Sequence, residues 1–242
     1  MSDTVKAIVI SFAAIITMLL MGISVKSEAV GILQGTYGSR SGDFDYTLVH
    51  DGMTRKYRVH LPPNYNQNIS LPAVMYLHGG GGNLSDSEKN HMLYFSDKLG
   101  FILISPEGTG TVKTWNAGKW DNDEYGCCGW ALSHKIDDVR FLSEVIDAVE
   151  RGFNVDSKRI YVVGMSNGGM MTYRVACELS DKFAAAAAVA AHAVESGCMP
   201  SRPVPVMHVH GTDDRVCLTT AAPHMVVPAL SLSLMLCLLQ NK

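Results

Sequence analysis

The residues best suited to chemistry form the pentapeptide Gly164-Met165-Ser166-Asn167-Gly168. A serine hydroxyl is a weak nucleophile at neutral pH, and it reacts when a sharp turn presents it to a base and to a substrate carbonyl. Glycines two residues before and after Ser166 permit such a turn, because side chains there would collide with the neighbouring strand or helix. A short apolar run precedes the pentapeptide and a helix-like segment follows it. The pattern predicts a nucleophile elbow with Ser166 as the nucleophile.

A glycine-rich loop, His78-Gly-Gly-Gly-Gly82, follows an earlier apolar run. Acyl transfer places negative charge on the carbonyl oxygen, and backbone amides of such a loop can stabilise that charge. We expect the donors to be Gly80 or Gly81, together with Asn167 after the nucleophile. A phosphate-binding loop is the alternative, but the Gly-Lys-Ser/Thr ending of nucleotide loops is absent. His78 is expected to brace this loop rather than to act as a base.

A third polar group, His208-Val-His-Gly-Thr-Asp-Asp214, ends a late apolar run. An acid there would lie at the carboxyl edge of a parallel sheet, where it can orient an imidazole opposite the nucleophile. We predict Asp214 as this acid, with Asp213 as the alternative. His224 is the one histidine beyond it, and it follows too closely for the helix and strand that usually separate acid from base. It is therefore not expected to be the base.

The elements that must position these groups alternate along the middle of the chain. Residues 46–50 and 55–61 flank Asp51-Gly52, which predicts a hairpin at a sheet edge. Runs that are apolar on both faces, typical of a parallel sheet covered by helices, occur at 73–77, 101–105, 160–163 and 204–209, and the alanine-rich 184–191 is also expected to be a strand. Apolar residues at three- and four-residue steps predict helices over 85–99, 136–153 and 168–179. The predicted fold class is α/β, a mostly parallel sheet with helices on both faces.

Composition limits the function classes. A chain of 242 residues with 47% hydrophobic residues can bury one sizeable core, and its formal net charge of -3 gives no basic excess for a nucleic-acid partner. No Cys-x-x-Cys pair or spaced histidine cluster favours zinc, so neither a metal nor a cofactor is expected. The adjacent Cys127 and Cys128 are not expected to bond to each other; one of them would reach Cys177 or Cys198, with free thiols as the alternative.

The two ends of the chain differ from its centre. Lys6, the apolar run 7–25 and the small residues Ser27 and Ala29 predict a signal peptide over 1–29, and an uncleaved anchor is the alternative. Residues 30–216 would then be a secreted catalytic domain with no stable membrane partner after cleavage. Residues 217–242 form an atypical C-terminal tail.

Several motifs in order along the chain resemble one known family, the polyhydroxybutyrate depolymerases and feruloyl or acetylxylan esterases, including LpqC-like secreted esterases. They are Tyr57-Arg-Val-His-Leu-Pro-Pro, Leu77-His-Gly-Gly-Gly, Trp115-Asn-Ala-Gly, Cys127-Cys-Gly, Asp137-Asp-Val-Arg-Phe, Gly164-Met-Ser-Asn-Gly-Gly-Met and His210-Gly-Thr-Asp-Asp. The resemblance implies an α/β-hydrolase with Ser166 as nucleophile, Asp214 as acid and an ester-linked polymer or acylated sugar as substrate. Trp115 and Asn116 are expected to bind that substrate.

One departure from the family pattern bears on activity. The family's later segment with the triad histidine is not found in 217–242, so the chain is expected to be C-terminally incomplete, to lack the last strands and to be impaired. The leading hypothesis is a serine carboxylic ester hydrolase. The alternative is a truncated, impaired homologue that acts as a polymer- or sugar-binding remnant, with Trp115, Trp120 and Trp130 stacking on the ligand. A peptidase is a third hypothesis, because the elbow alone does not separate esters from amides.

Overall fold

The computed structural model of the chain describes residues 41–120, 125–192, 198–211 and 214. The strands are β1 (Gly42–His50), β2 (Met53–Leu61), β3 (Leu71–Leu77), β4 (Ile102–Pro106), β5 (Lys119–Trp120), β6 (Tyr125–Gly126), β7 (Val155–Met165), β8 (Ala185–Val189) and β9 (Val206–Val209). The helices are α1 (Asp86–Lys89), α2 (Met92–Leu99), α3 (Gly129–Ser133), α4 (Asp138–Gly152) and α5 (Asn167–Glu178). The predicted signal peptide and the tail 217–242 lie outside the described residues.

Seven strands form one mixed sheet in the order β1-β2-β4-β3-β7-β8-β9. The pairs β1–β2 and β2–β4 are antiparallel, whereas β4–β3, β3–β7, β7–β8 and β8–β9 are parallel. The first two strands are the predicted edge hairpin, and its turn places Asp51 at φ 48° and Gly52 at φ 73°. Both angles are positive, as a tight two-residue hairpin turn requires. The mostly parallel sheet predicted from the apolar runs is confirmed.

Helices cover both faces of the sheet, as predicted. On one face α4 and α5 bury apolar side chains that include Phe141, Val145 and Val175. On the other face α2 packs Met92 and Phe95 against the strands. Strand β3 contributes alternate residues to the two cores, which explains why its sequence is apolar throughout.

The predicted helix 85–99 is in fact two helices. The helix is interrupted between α1 and α2 at His91, whose φ is 60°. The Asn90 side-chain amide donates hydrogen bonds to the Asp86 carbonyl oxygen at 2.7 Å and to the Tyr76 hydroxyl at 2.8 Å. Such bonds compete with helical ones, and apolar spacing does not reveal them. Within the described ranges, every helix is shorter or more polar than a membrane-spanning helix would need to be.

The cysteine pairing differs from the prediction. Cys177 at the end of α5 bonds to Cys198, with their Cα atoms 5.8 Å apart. The expectation that Cys127 or Cys128 bonds to Cys177 or Cys198 was wrong. Tertiary placement brings Cys198 beside Cys177, so neither of the adjacent pair is needed there.

A buried ion pair joins the hairpin to α4. The Arg55 guanidinium on β2 donates to Asp138 Oδ1 at 2.7 Å, and both side chains are buried. The guanidinium also lies 3.8 Å from the centre of the Phe141 ring. Asp138 Oδ2 accepts a hydrogen bond from the backbone N–H of Asn116 at 2.8 Å. Burial raises the pKa of the Asp138 carboxyl, although Arg55 opposes this effect.

Arg55→Met is expected to lower the free energy of unfolding by about 3–5 kcal/mol, because it leaves the Asp138 charge buried without its partner. Urea titration at pH 7 measures this. Without Arg55 the folded-state pKa of Asp138 rises further above 3.8, so the loss should shrink as the pH falls and the carboxyl protonates. The matched control is Arg58→Met, which removes a surface pair with Asp45 and should cost at most about 1 kcal/mol. Equal losses in the two variants would contradict the assigned burial.

Candidate active site

Ser166 stands on a strained turn between β7 and α5. Its φ is 54° and its ψ is -124°, a region that side-chain-bearing residues rarely adopt. The Ser166 N–H donates to the Val189 carbonyl oxygen at 2.9 Å, and the Ser166 carbonyl accepts from Met170 N–H at 2.9 Å. The turn is therefore tied to β8 on one side and to α5 on the other. This is the backbone geometry predicted for a nucleophile elbow.

The glycines of the elbow are required by close backbone contacts. A Cβ atom on Gly164 would lie 2.3 Å from the Gly168 carbonyl oxygen. A Cβ atom on Gly168 would lie 2.2 Å from the carbonyl oxygen of Leu77, the last residue of β3. Neither neighbour is a flexible side chain that could move away. Glycine at both positions lets α5 begin directly against the end of β3.

The glycine-rich loop lies against the nucleophile. A Cβ atom on Gly79 would be 3.5 Å from the Ser166 Cβ, so the segment Gly79-Gly80-Gly81, which we call the oxyanion loop, borders the serine. The Gly81 N–H donates to the Lys113 carbonyl oxygen at 2.7 Å, which removes Gly81 as the predicted donor. Among the described residues, no acceptor for the Gly80 N–H is present. Gly80 is exposed and keeps its place as a candidate.

Asn167 is the first residue of α5, so its backbone N–H has no acceptor within the helix. Its buried side chain makes two hydrogen bonds to one residue. Asn167 Oδ1 accepts from the Trp115 N–H at 2.7 Å, and Asn167 Nδ2 donates to the Trp115 carbonyl oxygen at 3.0 Å. Residue type and spacing predicted a role for the Asn167 backbone and did not predict this positioning role of its side chain.

Trp115 connects the oxyanion loop to the first residue of α5. Its indole Nε1–H donates to the His78 carbonyl oxygen at 2.9 Å, next to the oxyanion loop, while its backbone binds the Asn167 side chain. The Trp115 side chain has 0% exposure. The prediction that Trp115 contacts substrate was therefore wrong, because the indole is enclosed and its polar atom is already bonded.

Asn116 is likewise an internal residue. Its Nδ2 donates to the Ile136 carbonyl oxygen at 2.8 Å, and its Oδ1 accepts from the Gly118 N–H at 3.2 Å. The predicted substrate contact is corrected, since these bonds hold the side-chain amide inside the loop. Together with the bond to Asp138, they fix the segment that carries Trp115.

His78 braces the oxyanion loop, as predicted. Its Nε2 accepts from the Gly108 N–H at 2.9 Å, so the proton is on Nδ1, which donates to the Gly79 carbonyl oxygen at 2.7 Å. Burial lowers the pKa of the His78 imidazole and keeps it neutral. Both ring nitrogens are engaged, so His78 has no free nitrogen to act as a base.

Asp214 lies beyond the end of β9, at the carboxyl edge of the sheet. Its Oδ2 is 3.2 Å from His210 Nε2, and its N–H donates to the Gly211 carbonyl oxygen at 3.1 Å. Strand β9 is separated by β8 alone from β7, which ends directly before Ser166. Asp213, His224 and the Trp120 side chain lie outside the described part of the chain.

A group of imidazoles surrounds this edge. The His208 Nδ1 is 2.5 Å from the Tyr173 hydroxyl, and the His208 and His210 rings stack with their centres 5.2 Å apart. Burial and neighbouring histidines lower the pKa of His208, and the same causes act on His192. Tyr173 and His192 were not predicted from the sequence to lie at the site. The alternation His208-Val-His210 was the available signal, because residues two apart share a strand face.

One group among the described residues offers three potential metal ligands: His50, Asp51 and Asp137. Arg140 forms ion pairs with both carboxylates, and His50 Nδ1 is 2.9 Å from Glu144 Oε2. These partners already satisfy the group. The group is part of an ion-pair network that connects the hairpin to α4. It is distant in sequence from the elbow.

Comparison with known proteins identifies the family. The Esterase family model, described as "Putative esterase", matches residues 52–224. The bifunctional acetylxylan esterase/xylanase XynS20E of Neocallimastix patriciarum is 31% identical over 68% of this chain and 22% of that protein. Feruloyl esterase B of Piromyces equi is 34% identical over 72% of this chain and 32% of that protein. The chain thus spans less than half the length of these two relatives.

A solved structure supports the fold. The crystal structure of a thermostable esterase superposes with a TM-score of 0.58 at 19% sequence identity, over 73% of this chain and 48% of that one. The shared architecture is the α/β-hydrolase fold that the sequence motifs predicted. Because the family match extends over most of the chain and includes the elbow and the oxyanion loop, this chain belongs to the Esterase family.

Proposed function

We propose that this chain hydrolyses carboxylic esters of acylated cell-wall sugars through an acyl-Ser166 intermediate. The observation that carries the proposal is the strained turn that holds Ser166 beside the oxyanion loop. The names of the two curated relatives, an acetylxylan esterase and a feruloyl esterase, support the substrate class. An acylated sugar is therefore preferred here over the polyester that the sequence resemblance also implied.

The reaction has two halves. The Ser166 oxygen attacks the ester carbonyl carbon while a base takes the hydroxyl proton, and the tetrahedral intermediate then expels the alcohol, which receives that proton. Water repeats the sequence on the acyl-enzyme, which releases the carboxylic acid and restores the serine. The backbone N–H groups of Asn167 and Gly80 donate to the oxyanion in both halves. The N-terminal end of α5 adds a favourable dipole.

We assign Asp214 the role of the acid that orients the imidazole base. Its position at the carboxyl edge, two strands from the elbow, supports this role. Its Oδ2 also faces an imidazole, His210, at 3.2 Å. Export of the chain is proposed as well. The Cys177–Cys198 disulfide supports an oxidising compartment.

Ser166→Ala should abolish labelling by a fluorophosphonate probe and lower the turnover of p-nitrophenyl acetate by at least about 1000-fold, because the nucleophile is lost. In-gel fluorescence and a steady-state assay measure the two effects. The matched control is Ser157→Ala, which changes an exposed serine on β7, the strand that leads into the elbow, and should retain both signals. Equal labelling of wild type and Ser166→Ala would refute the assigned nucleophile. Labelling of wild type without any ester turnover would favour the impaired binding remnant.

Trp115→Phe should lower kcat by about 10- to 100-fold with KM nearly unchanged. The substitution removes the indole N–H that holds the His78 carbonyl, and a shift of about 1 Å in such a site can cost about 100-fold in rate. Steady-state kinetics on p-nitrophenyl acetate and thermal unfolding measure the effect. Phe101→Leu is the control, since it also truncates a fully buried aromatic ring but lies directly before β4, in the core on the other face of the sheet. An equal kcat loss in both variants would reduce the role of Trp115 to general stability.

A further inference from the structure

The described part of the chain exposes few large apolar side chains, and three of them lie around the oxyanion loop. Trp130 is 39% exposed, Val112 is 65% exposed and Met165 is 38% exposed. Met165 precedes Ser166, and its Cε lies 3.9 Å from a Cβ atom built on Gly79. Single scattered apolar residues need no explanation, but apolar residues that converge beside a reactive group mark a ligand surface. We call these three residues the apolar rim.

The contacts between loops make the apolar rim continuous with the site. The Val112 Cγ1 lies 3.7 Å from a Cβ atom built on Gly81 of the oxyanion loop. A Cβ atom built on Gly110 would lie 2.8 Å from the Trp130 Cβ and 3.1 Å from the Val112 carbonyl oxygen. The rim therefore runs from the serine across the oxyanion loop to Val112, with Trp130 at its outer end.

Trp130 is held as a rigid, flat surface. The His134 imidazole stacks on the indole with ring centres 4.1 Å apart and an angle of 21° between the planes. His134 Nδ1 lies 3.0 Å from both the Trp130 carbonyl oxygen and the Ser133 hydroxyl, which fixes the imidazole. One face of the indole is thus supported from within the protein. An indole ordered before binding loses little entropy when a ligand stacks on it.

An ion pair lies beside the rim. Lys113, the residue after Val112, forms an ion pair with Glu107 at 3.4 Å, so the two charges compensate each other. A sugar ring offers an apolar C–H face to an indole and keeps its hydroxyl groups in water, a combination that suits a half-exposed tryptophan. We infer that the apolar rim binds a neutral sugar ring of the ester's alcohol part, with Trp130 as the stacking surface. The inference rests on the proposed function, which places the ester bond at Ser166.

The test compares a substrate that carries a sugar chain with one that does not. Trp130→Ala should raise KM for acetylated xylooligosaccharides about 10-fold, the equivalent of one aromatic stacking contact. KM for p-nitrophenyl acetate should stay within about 2-fold of wild type, because that small ester does not reach Trp130 at the outer end of the rim. Trp130→Phe should restore most of the affinity. Tyr94→Ala, which removes an exposed aromatic residue from α2, should change neither KM.

Binding is measured separately by isothermal titration calorimetry with unesterified xylohexaose. Wild type and Ser166→Ala should bind the sugar equally, and Trp130→Ala should bind it about 10-fold more weakly. Equal KM changes on both substrates, or xylohexaose binding that is absent or indifferent to Trp130, would overturn the inference. Because calorimetry needs no turnover, failure of ester hydrolysis would reject the proposed function without removing the evidence for the sugar site.

Discussion

The close approach of α5 to the end of β3 is the constraint on which the site depends. With no side chain at Gly168, the first turn of the helix rests on the Leu77 carbonyl, and the oxyanion loop that continues from β3 reaches Ser166. The positive φ of Ser166 costs free energy. Strand β7, central in the sheet and buried at Ile160 and Val162, holds the turn in this conformation. Ordinary packing of the core thus supports an unfavourable backbone geometry at one residue.

A chain of buried hydrogen bonds extends this constraint away from the serine. Arg55 pairs with Asp138, Asp138 accepts from the Asn116 N–H, and Trp115 binds the side chain of Asn167. Buried polar groups are costly when unpaired, so a connected set of them favours a single arrangement of its members. The hairpin at the sheet edge and the elbow are in this way parts of one polar network.

Trp115 and Trp130 differ in burial and therefore in the roles that they can take. Trp115 is enclosed: its indole N–H donates to the His78 carbonyl beside the oxyanion loop, and its backbone N–H donates to Asn167 in the elbow. Trp130 is half-exposed and stacks on His134 at the rim. Burial determines which role an indole can take, because an enclosed ring cannot meet a ligand. The proposed acid, Asp214, lies apart from both tryptophans, beside the His210 imidazole beyond the end of β9.

Local patterns in the sequence determined the elbow, the oxyanion loop, the edge hairpin and the order of strands and helices, because each depends on neighbours along the chain. The break at His91 escaped prediction, since it depends on hydrogen bonds from Asn90 to Asp86 and to Tyr76 on another strand. Tertiary structure alone decided that Cys177 pairs with Cys198, that the Gly81 N–H donates to the Lys113 carbonyl oxygen and that Trp115 is buried. Each of these outcomes depends on contacts between segments that are distant in sequence. Residue type and local spacing do not predict such contacts.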